Sequence, residues 1–246
     1  STTIFNNSSE MRIYPKDVKF WWPKGMGEPN LYDVTISLLY KGECVAEKKE
    51  RFGIRQIKLI RSNGKDGNGQ SQFVFKVNWK DTFICGTNWV PASPFHSEDV
   101  KRLPQMLKLL DDVGCNMVRC WGGNVYEHDM FYDFCDTHGI MVWQDFSMAC
   151  AVYPMDDGFS EIMRREGTSG VKRLRNHTSI ALWAGDNECD LSVAGGWQGI
   201  KRNPNEVNII TRKVIPEVLS MHDYIRPYLP SSPYVDDESY KNDAKY

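Results

Sequence analysis

The sequence, 246 residues long, predicts an α/β fold: units of a parallel (β/α) barrel behind an antiparallel, strand-rich opening. Three observations predict it. Short, almost continuously apolar runs alternate with helical periodicities of about 10–15 residues, the pattern of βαβ units around a parallel sheet. The apolar runs do not alternate with polar residues, as befits strands covered on both faces. Each run ends in polar or aromatic residues: Asn88-Trp89, Arg119 to Trp121, Gln144-Asp145 and Asn187-Glu188. In such barrels the C-terminal strand ends carry the chemistry.

The elements follow in order. Leu31 to Tyr40 is β-rich, Lys41-Gly42 makes a turn, and Cys44 to Arg55 returns. Arg61 to Gln70 is rich in Gly and Asn, as an exposed turn or loop is. Phe73 to Val77 and Thr82 to Gly86 are short strand candidates. Leu103, Met106, Leu107, Leu110 and Val113 recur at helical spacing, with Pro104 placing the helix start shortly before it and Gly114 as the stop. Asn116 to Trp121 reads as a strand. Met130, Phe131, Phe134 and Cys135 form a helical face closed by Gly139, and Ile140 to Gln144 is the next strand. A charged segment with Ile162, Met163, Val171 and Leu174 precedes the strand Ile180 to Ala184. A last helix from about Asn205 to Leu219 leads into Arg226-Pro227-Tyr228-Leu229-Pro230.

Composition narrows the function classes. Thirty Lys and Arg against 32 Asp and Glu leave a net charge of −2, so neither a nucleic-acid partner nor an acidic tail is indicated. No apolar stretch approaches the roughly 20 residues of a membrane-spanning helix, and Ser1 to Asn7 has no basic-then-apolar signal pattern. The seven cysteines are odd in number and lack Cys-x-x-Cys or His at ligand spacing. Neither a disulfide framework nor a structural zinc site is expected; most read as small buried apolar residues.

Candidate chemistry sits at the strand ends. Leu182 to Glu188 runs an apolar strand straight into an amide and a carboxyl group. There Asn187 can hold a sugar hydroxyl while Glu188 transfers a proton at a glycosidic oxygen, or Glu188 simply caps the next helix. Arg119, Trp121 and the pair Gly122-Gly123 offer a cation, a flat face for a sugar ring and close backbone approach, or else a tight turn with a core Trp. Asp145 bonds sugar hydroxyls, orients Arg119, or caps a helix. Trp197 is either a platform for the leaving group or a loop aromatic shielding core. His177 reads as a hydrogen-bonding structural residue, and His96, His128, His138 and His222 as surface or helix-end residues.

Together these segments resemble glycoside hydrolase family 2, and within it the β-mannosidase branch. The resemblance runs through Phe52-Gly53-Ile54-Arg55, Gly86-Thr87-Asn88-Trp89-Val90-Pro91, Asn116-Met117-Val118-Arg119-Cys120-Trp121-Gly122-Gly123, Trp143-Gln144-Asp145-Phe146 and Ala149-Cys150-Ala151-Val152-Tyr153-Pro154. It continues in Arg173-Leu174-Arg175-Asn176-His177 and Arg226-Pro227-Tyr228-Leu229-Pro230, spanning about residues 20–233 in consistent order. The Trp-Gly-Gly and Trp-Gln-Asp-Phe segments resemble β-mannosidases more than β-galactosidases or β-glucuronidases.

The resemblance implies a retaining exo-glycosidase with a (β/α)8 TIM-barrel behind β-sandwich domains. Residues 1–60 would be the end of an immunoglobulin-like β-sandwich and residues 61–246 the first part of the barrel, incomplete at about strands one to five. Glu188 matches the general acid/base and Asn187 the residue that bonds the substrate 2-hydroxyl. Trp121 and Asp145 fall where the family lines the subsite for the terminal mannose; Asn88 and Trp89 stand at the mouth of strand one. Arg119 and Trp197 complete the candidate substrate contacts. The substrate implied is a β-mannoside oligosaccharide, with neither metal nor cofactor required. β-Galactosides, β-glucuronides, β-glucosaminides and a non-catalytic sugar-binding fragment are the alternatives. The compartment implied is periplasmic or extracellular for a bacterium and lysosomal for a eukaryote.

Two departures stand out. Asp186 replaces the family's usual Asn or other polar residue and puts an extra carboxylate beside Glu188, which favours a protonated acid. Retaining hydrolysis also needs a second carboxylate about 5–5.5 Å from the first. No segment after Glu188 matches the family's nucleophile, so the nucleophile is expected outside this chain and the chain alone inactive.

Overall fold

The computed structural model describes residues 11–61, 72–197, 199 and 201–242. The Gly- and Asn-rich stretch from residue 62 and the first ten residues lie outside the described residues. The chain opens with strands β1 (Tyr32–Tyr40) and β2 (Glu43–Phe52), an antiparallel pair. Lys41 and Gly42 both take left-handed φ, 52° and 88°, which matches the twist that a two-residue hairpin requires. A second antiparallel sheet has β3 (Ile57–Arg61), β4 (Phe73–Val77) and β5 (Lys80–Thr82) in that order. The division expected at residue 61 therefore falls at the end of a strand whose partner is β4.

Five further strands form one parallel sheet in sequential order: β6 (Gly86–Trp89), β7 (Met117–Cys120), β8 (Met141–Asp145), β9 (Ile180–Ala184) and β10 (Tyr228–Leu229). The connections carry helices α1 (Asp99–Asp112), α2 (Asp129–His138) and α3 (Asp157–Leu174). After β9 come α4 (Cys189–Gly195), α5 (Pro204–Val207) and α6 (Ile215–His222), and α7 (Asp237–Lys241) follows β10. Parallel neighbours in chain order, each reached by a helical crossover, are the arrangement that (β/α) barrels repeat. Among the described residues no helix is long and apolar enough to cross a membrane.

Both faces of β7, β8 and β9 are covered, which is why these strands read as nearly unbroken apolar runs, whereas Gly86 to Asn88 of β6 are exposed. Val118, Cys120, Val142, Ile180 and Trp183 pack with Leu103, Leu107, Phe131, Leu174 and Val218 from the helices. Met117, Met141, Leu182, Ala184 and Leu229 face Trp21, Phe75 and Val77 from the antiparallel part. The indole N–H of Trp21 donates to the Asp136 carbonyl at 2.8 Å, pinning the opening segment to α2.

Three element expectations are corrected. Thr82 to Gly86 does not form one strand; β5 ends at Thr82 and β6 begins at Gly86. Helix α1 starts at Asp99 and carries Pro104 within it, where the missing N–H costs the bond to the carbonyl four residues back. The last helix is interrupted at Asn208 (φ −85°, ψ 64°), followed by a wide π-type turn at Ile210–Val214 before α6. The break follows from the side chain of Asn208, which is drawn to two buried carboxylates described below.

Candidate active site

Because β6 to β10 are parallel, their C-terminal ends share one edge, and the candidate residues gather there. Beyond β9 the ladder continues at Asn187, which bridges Ala149 on one side and Ser232 on the other. The Asn187 N–H donates to the Met148 carbonyl (3.0 Å), and the Cys150 N–H donates to the Asn187 carbonyl (2.8 Å). Glu188 donates its N–H to the Ser232 carbonyl at 3.1 Å and then turns into left-handed backbone, φ 60° and ψ 13°. Such a conformation costs a non-glycine residue about 1–2 kcal/mol, and functional sites are where it is tolerated. Glu188 does occupy the N-cap position of α4, but its half-buried side chain makes no capping bond. Its Oε2 instead accepts from the Cys150 thiol at 3.3 Å.

Arg119 organises the neighbouring residues. Its Nη2 donates to Asp145 Oδ2 at 2.7 Å and to Asn187 Oδ1 at 3.0 Å. Asp145 also accepts from the Trp143 indole at 2.9 Å and from the Gly122 N–H at 2.9 Å. Burial pushes the Asp145 carboxyl up to about 6, while Arg119, Trp143 and Gly122 pull the other way and keep it ionised at neutral pH. Of the roles open to Asp145, orienting Arg119 is the one this geometry displays; it caps no helix, since Asp156 caps α3. The Asn187 amide is thereby oriented. Its oxygen is taken by Arg119, and its nitrogen donates to Cys150 Sγ at 3.3 Å with a second N–H to give.

The remaining candidates separate. Trp121 is half-buried, and its ring lies over Gly123, where any Cβ would collide with it. At Gly122 a Cβ would collide with the Met148 carbonyl oxygen. The glycine pair thus admits the chain's own backbone and an indole rather than leaving room for a ligand. Trp89 is buried, tilted against Phe131 with ring centroids 4.9 Å apart, and its N–H donates to Glu127 Oε1 at 3.0 Å. That placement corrects the expectation of a surface contact: Trp89 faces the helix layer, while Asn88, one residue earlier, is exposed on the opposite face. Asn88, Arg119 and Trp143 line an open cleft of about 790 Å³ together with Phe73 and Phe83. Trp197 is exposed and folds back on Gly195, with its backbone N–H on the Ser192 carbonyl; no described contact joins it to Glu188.

Cys150 escaped the reading of the sequence, and the expectation that Asp186 sets its carboxylate beside Glu188 is corrected. Cys150, grouped there with buried apolar cysteines, is exposed and touches both Asn187 and Glu188. Four of the seven cysteines are buried and all are free. Asp186 is fully buried and turned away from Glu188: it accepts from Ser231 Oγ, from the Cys189 N–H (3.1 Å) and from Asn208 Nδ2 (3.0 Å). His177 hydrogen-bonds Asp136 at 2.8 Å, as a structural His does. With Asp133 these two place ligand-type atoms within 4.8 Å of one another, but Asp136 is already engaged by His177 and the Ser179 N–H.

The thiol contact is open to test. Burial and the hydrogen bond to Glu188 push the Cys150 thiol up. Alkylation by iodoacetamide at about pH 8, read at Cys150 by peptide mass spectrometry, is expected to be about threefold or more faster in Glu188→Gln. Equal rates would mean that the thiol and the carboxylate do not meet.

The family model described as glycosyl hydrolases family 2 matches residues 1–55. A β-mannosidase of Capra hircus is 36% identical over 225 residues, which are 88% of this chain and 25% of that protein. The chain therefore spans about a quarter of the length of the curated relatives it matches. The crystal structure of a β-D-mannosidase from Dictyoglomus thermophilum superposes with a TM-score of 0.79 at 42% identity, covering 91% of this chain and 27% of that one. An exo-chitosanase from Amycolatopsis orientalis, 22% identical with a TM-score of 0.65 over 86% of this chain and 23% of its own, shares the fold.

Proposed function

Because this chain belongs to glycosyl hydrolase family 2, we propose that it carries the proton-donor half of a retaining exo-β-mannosidase site. Glu188 protonates the glycosidic oxygen as the bond to the anomeric carbon breaks, then takes a proton from the water that releases the sugar. Asn187, oriented by Arg119, gives its free N–H to the hydroxyl beside the anomeric carbon. Asn88, Trp121 and the Arg119–Asp145 pair stand on the same edge for the terminal sugar. The observation that carries the reading is the pairing of Asn187 and Glu188 at the end of the fourth parallel strand, with the amide fixed by a cation and the carboxylate uncommitted to the helix it precedes.

The nucleophile is a carboxylate from a barrel strand beyond the five present here. Of the later glutamates, Glu217 pairs with Arg164 on the outer helix layer at 2.8 Å, and Glu206 and Glu238 lie in α5 and α7. Isolated residues 1–246 are therefore expected to show no turnover of an aryl β-mannoside, while the full-length protein hydrolyses it with retention at the anomeric carbon. Proton NMR of the first-formed sugar checks the stereochemistry. Turnover by the isolated chain would mean the nucleophile lies within it; faster hydrolysis of the aryl β-galactoside, β-glucuronide or β-glucosaminide would reassign the sugar.

A further inference from the structure

We propose that Asp186 is a positioning residue for Glu188: it ties the turn bearing the proton donor to the end of β10 and to residues 204–214. The inference rests on the reading of Glu188 as proton donor.

The geometry is a small buried network. Asp186 Oδ1 takes the Ser231 hydroxyl and the Cys189 N–H, and its own backbone carbonyl takes the Ser232 N–H at 3.1 Å. Ser232 in turn receives the Glu188 N–H. Side chain and main chain of Asp186 thus close the same seam between β9 and β10 on which Glu188 hangs. On the other side, Asn208 Nδ2 spends its two N–H groups on two carboxylates, Asp186 Oδ2 and Asp190 Oδ1, each at 3.0 Å. This is the contact that interrupts the helix at Asn208.

The two carboxylates are not equivalent. Asp190 has a cation, Arg212 Nη2 at 2.5 Å, and also the Val235 N–H at 3.0 Å. Asp186 receives only neutral donors. The titratable groups around it are Asp190 and Cys189 on α4, Arg212 behind Asp190, Tyr228 on β10, and Tyr153 and Cys150 on the loop after β8. None of the contacts just given brings a cation to its oxygens. Burial, then the charge of Asp190, push the Asp186 carboxyl up to about 7.

The sign for stability follows. The folded carboxyl binds its proton more tightly than the unfolded one, so its favourable share is complete below about pH 4 and is lost as pH rises through about 7. Asn at this position keeps the volume but sets a donor where Asp186 accepts from Asn208 and Ser231.

The test uses Asp186→Asn in the full-length protein. On an alkyl β-mannoside, which needs the proton from Glu188, kcat is expected to fall about threefold or more, while KM and the turnover of an activated aryl β-mannoside stay within about twofold. The fall of Tm between about pH 5 and pH 8 should flatten. Asn208→Ala withdraws a donor from Asp186; it should lower kcat in the same leaving-group-dependent way and decides the matter if Asp186→Asn does not fold. A lowered Tm with kcat unchanged, or lowered equally on both substrates, in both variants would leave Asp186 a merely structural residue and overturn the proposal. Retained activity in Glu188→Gln would instead overturn the reading of Glu188.

Discussion

Glu188→Gln in the full-length protein is expected to lower kcat/KM on an alkyl β-mannoside by about 10²- to 10⁴-fold, the range that one positioned general acid contributes. The loss should shrink on an aryl mannoside whose leaving group departs without a proton. The second step still needs a base, so a glycosyl–enzyme intermediate is expected to accumulate and appear as an initial burst. A small anion such as azide, which attacks without surrendering a proton, should restore turnover in the variant. The substitution tests chemistry rather than folding for a structural reason. The Glu188 side chain makes no helix-capping bond, and Gln preserves its volume in the half-buried pocket. A loss under about tenfold, equal for good and poor leaving groups, would remove Glu188 from the acid/base role.

The second large effect concerns stability. Arg119→Met strips the cation from Asp145, whose side chain is fully buried. Breaking a buried pair from one side leaves an uncompensated charge, typically at a cost of 3–5 kcal/mol, which for a domain of this size corresponds to a drop of roughly 10 °C or more in Tm. The penalty depends on pH. Without Arg119 the Asp145 carboxyl, already raised to about 6 by burial, is pushed higher still, so the variant gains stability by protonation at acid pH. The deficit should therefore be larger at about pH 8 than at about pH 5. The same variant also frees Asn187 Oδ1, so a rise in KM should accompany it in the full-length protein. A Tm deficit that is small and flat across pH would show that Arg119 is dispensable to the strand ends.

Much of the fold was legible because it is local. Lys41-Gly42 announced its hairpin, Gly139 took left-handed φ at 68° as the stop of α2, and the apolar run Ile180–Ala184 is buried along its whole length. Where expectation missed, a tertiary contact had outweighed local preference. Asn208 breaks a helical pattern because two carboxylates from another element claim its amide. Trp89 looked like a mouth residue by its place at a strand end, but its pleat sends it to Glu127 and Phe131. Of the two readings open for Gly122 and Gly123, the tight turn is the one the packing favours, since backbone and indole fill the space.

Of the candidate site, the residues at and just beyond the strand ends were readable along the chain: Asn88, Arg119, Trp121, Asp145, Asn187 and Glu188. Strand periodicity puts a polar group after each apolar run, and parallel crossovers place those ends on one edge. Only the tertiary structure decided who touches whom there. The side chains of Arg119 and Asn187, 68 positions apart, meet because β7 and β9 flank β8. Cys150 meets Glu188, and Asp186 turns to Ser231 and Asn208, through seams between strand ends that no spacing in the chain encodes. Local propensity reaches a few residues along the chain, whereas burial, charge and hydrogen bonding act between elements once packing has brought them together.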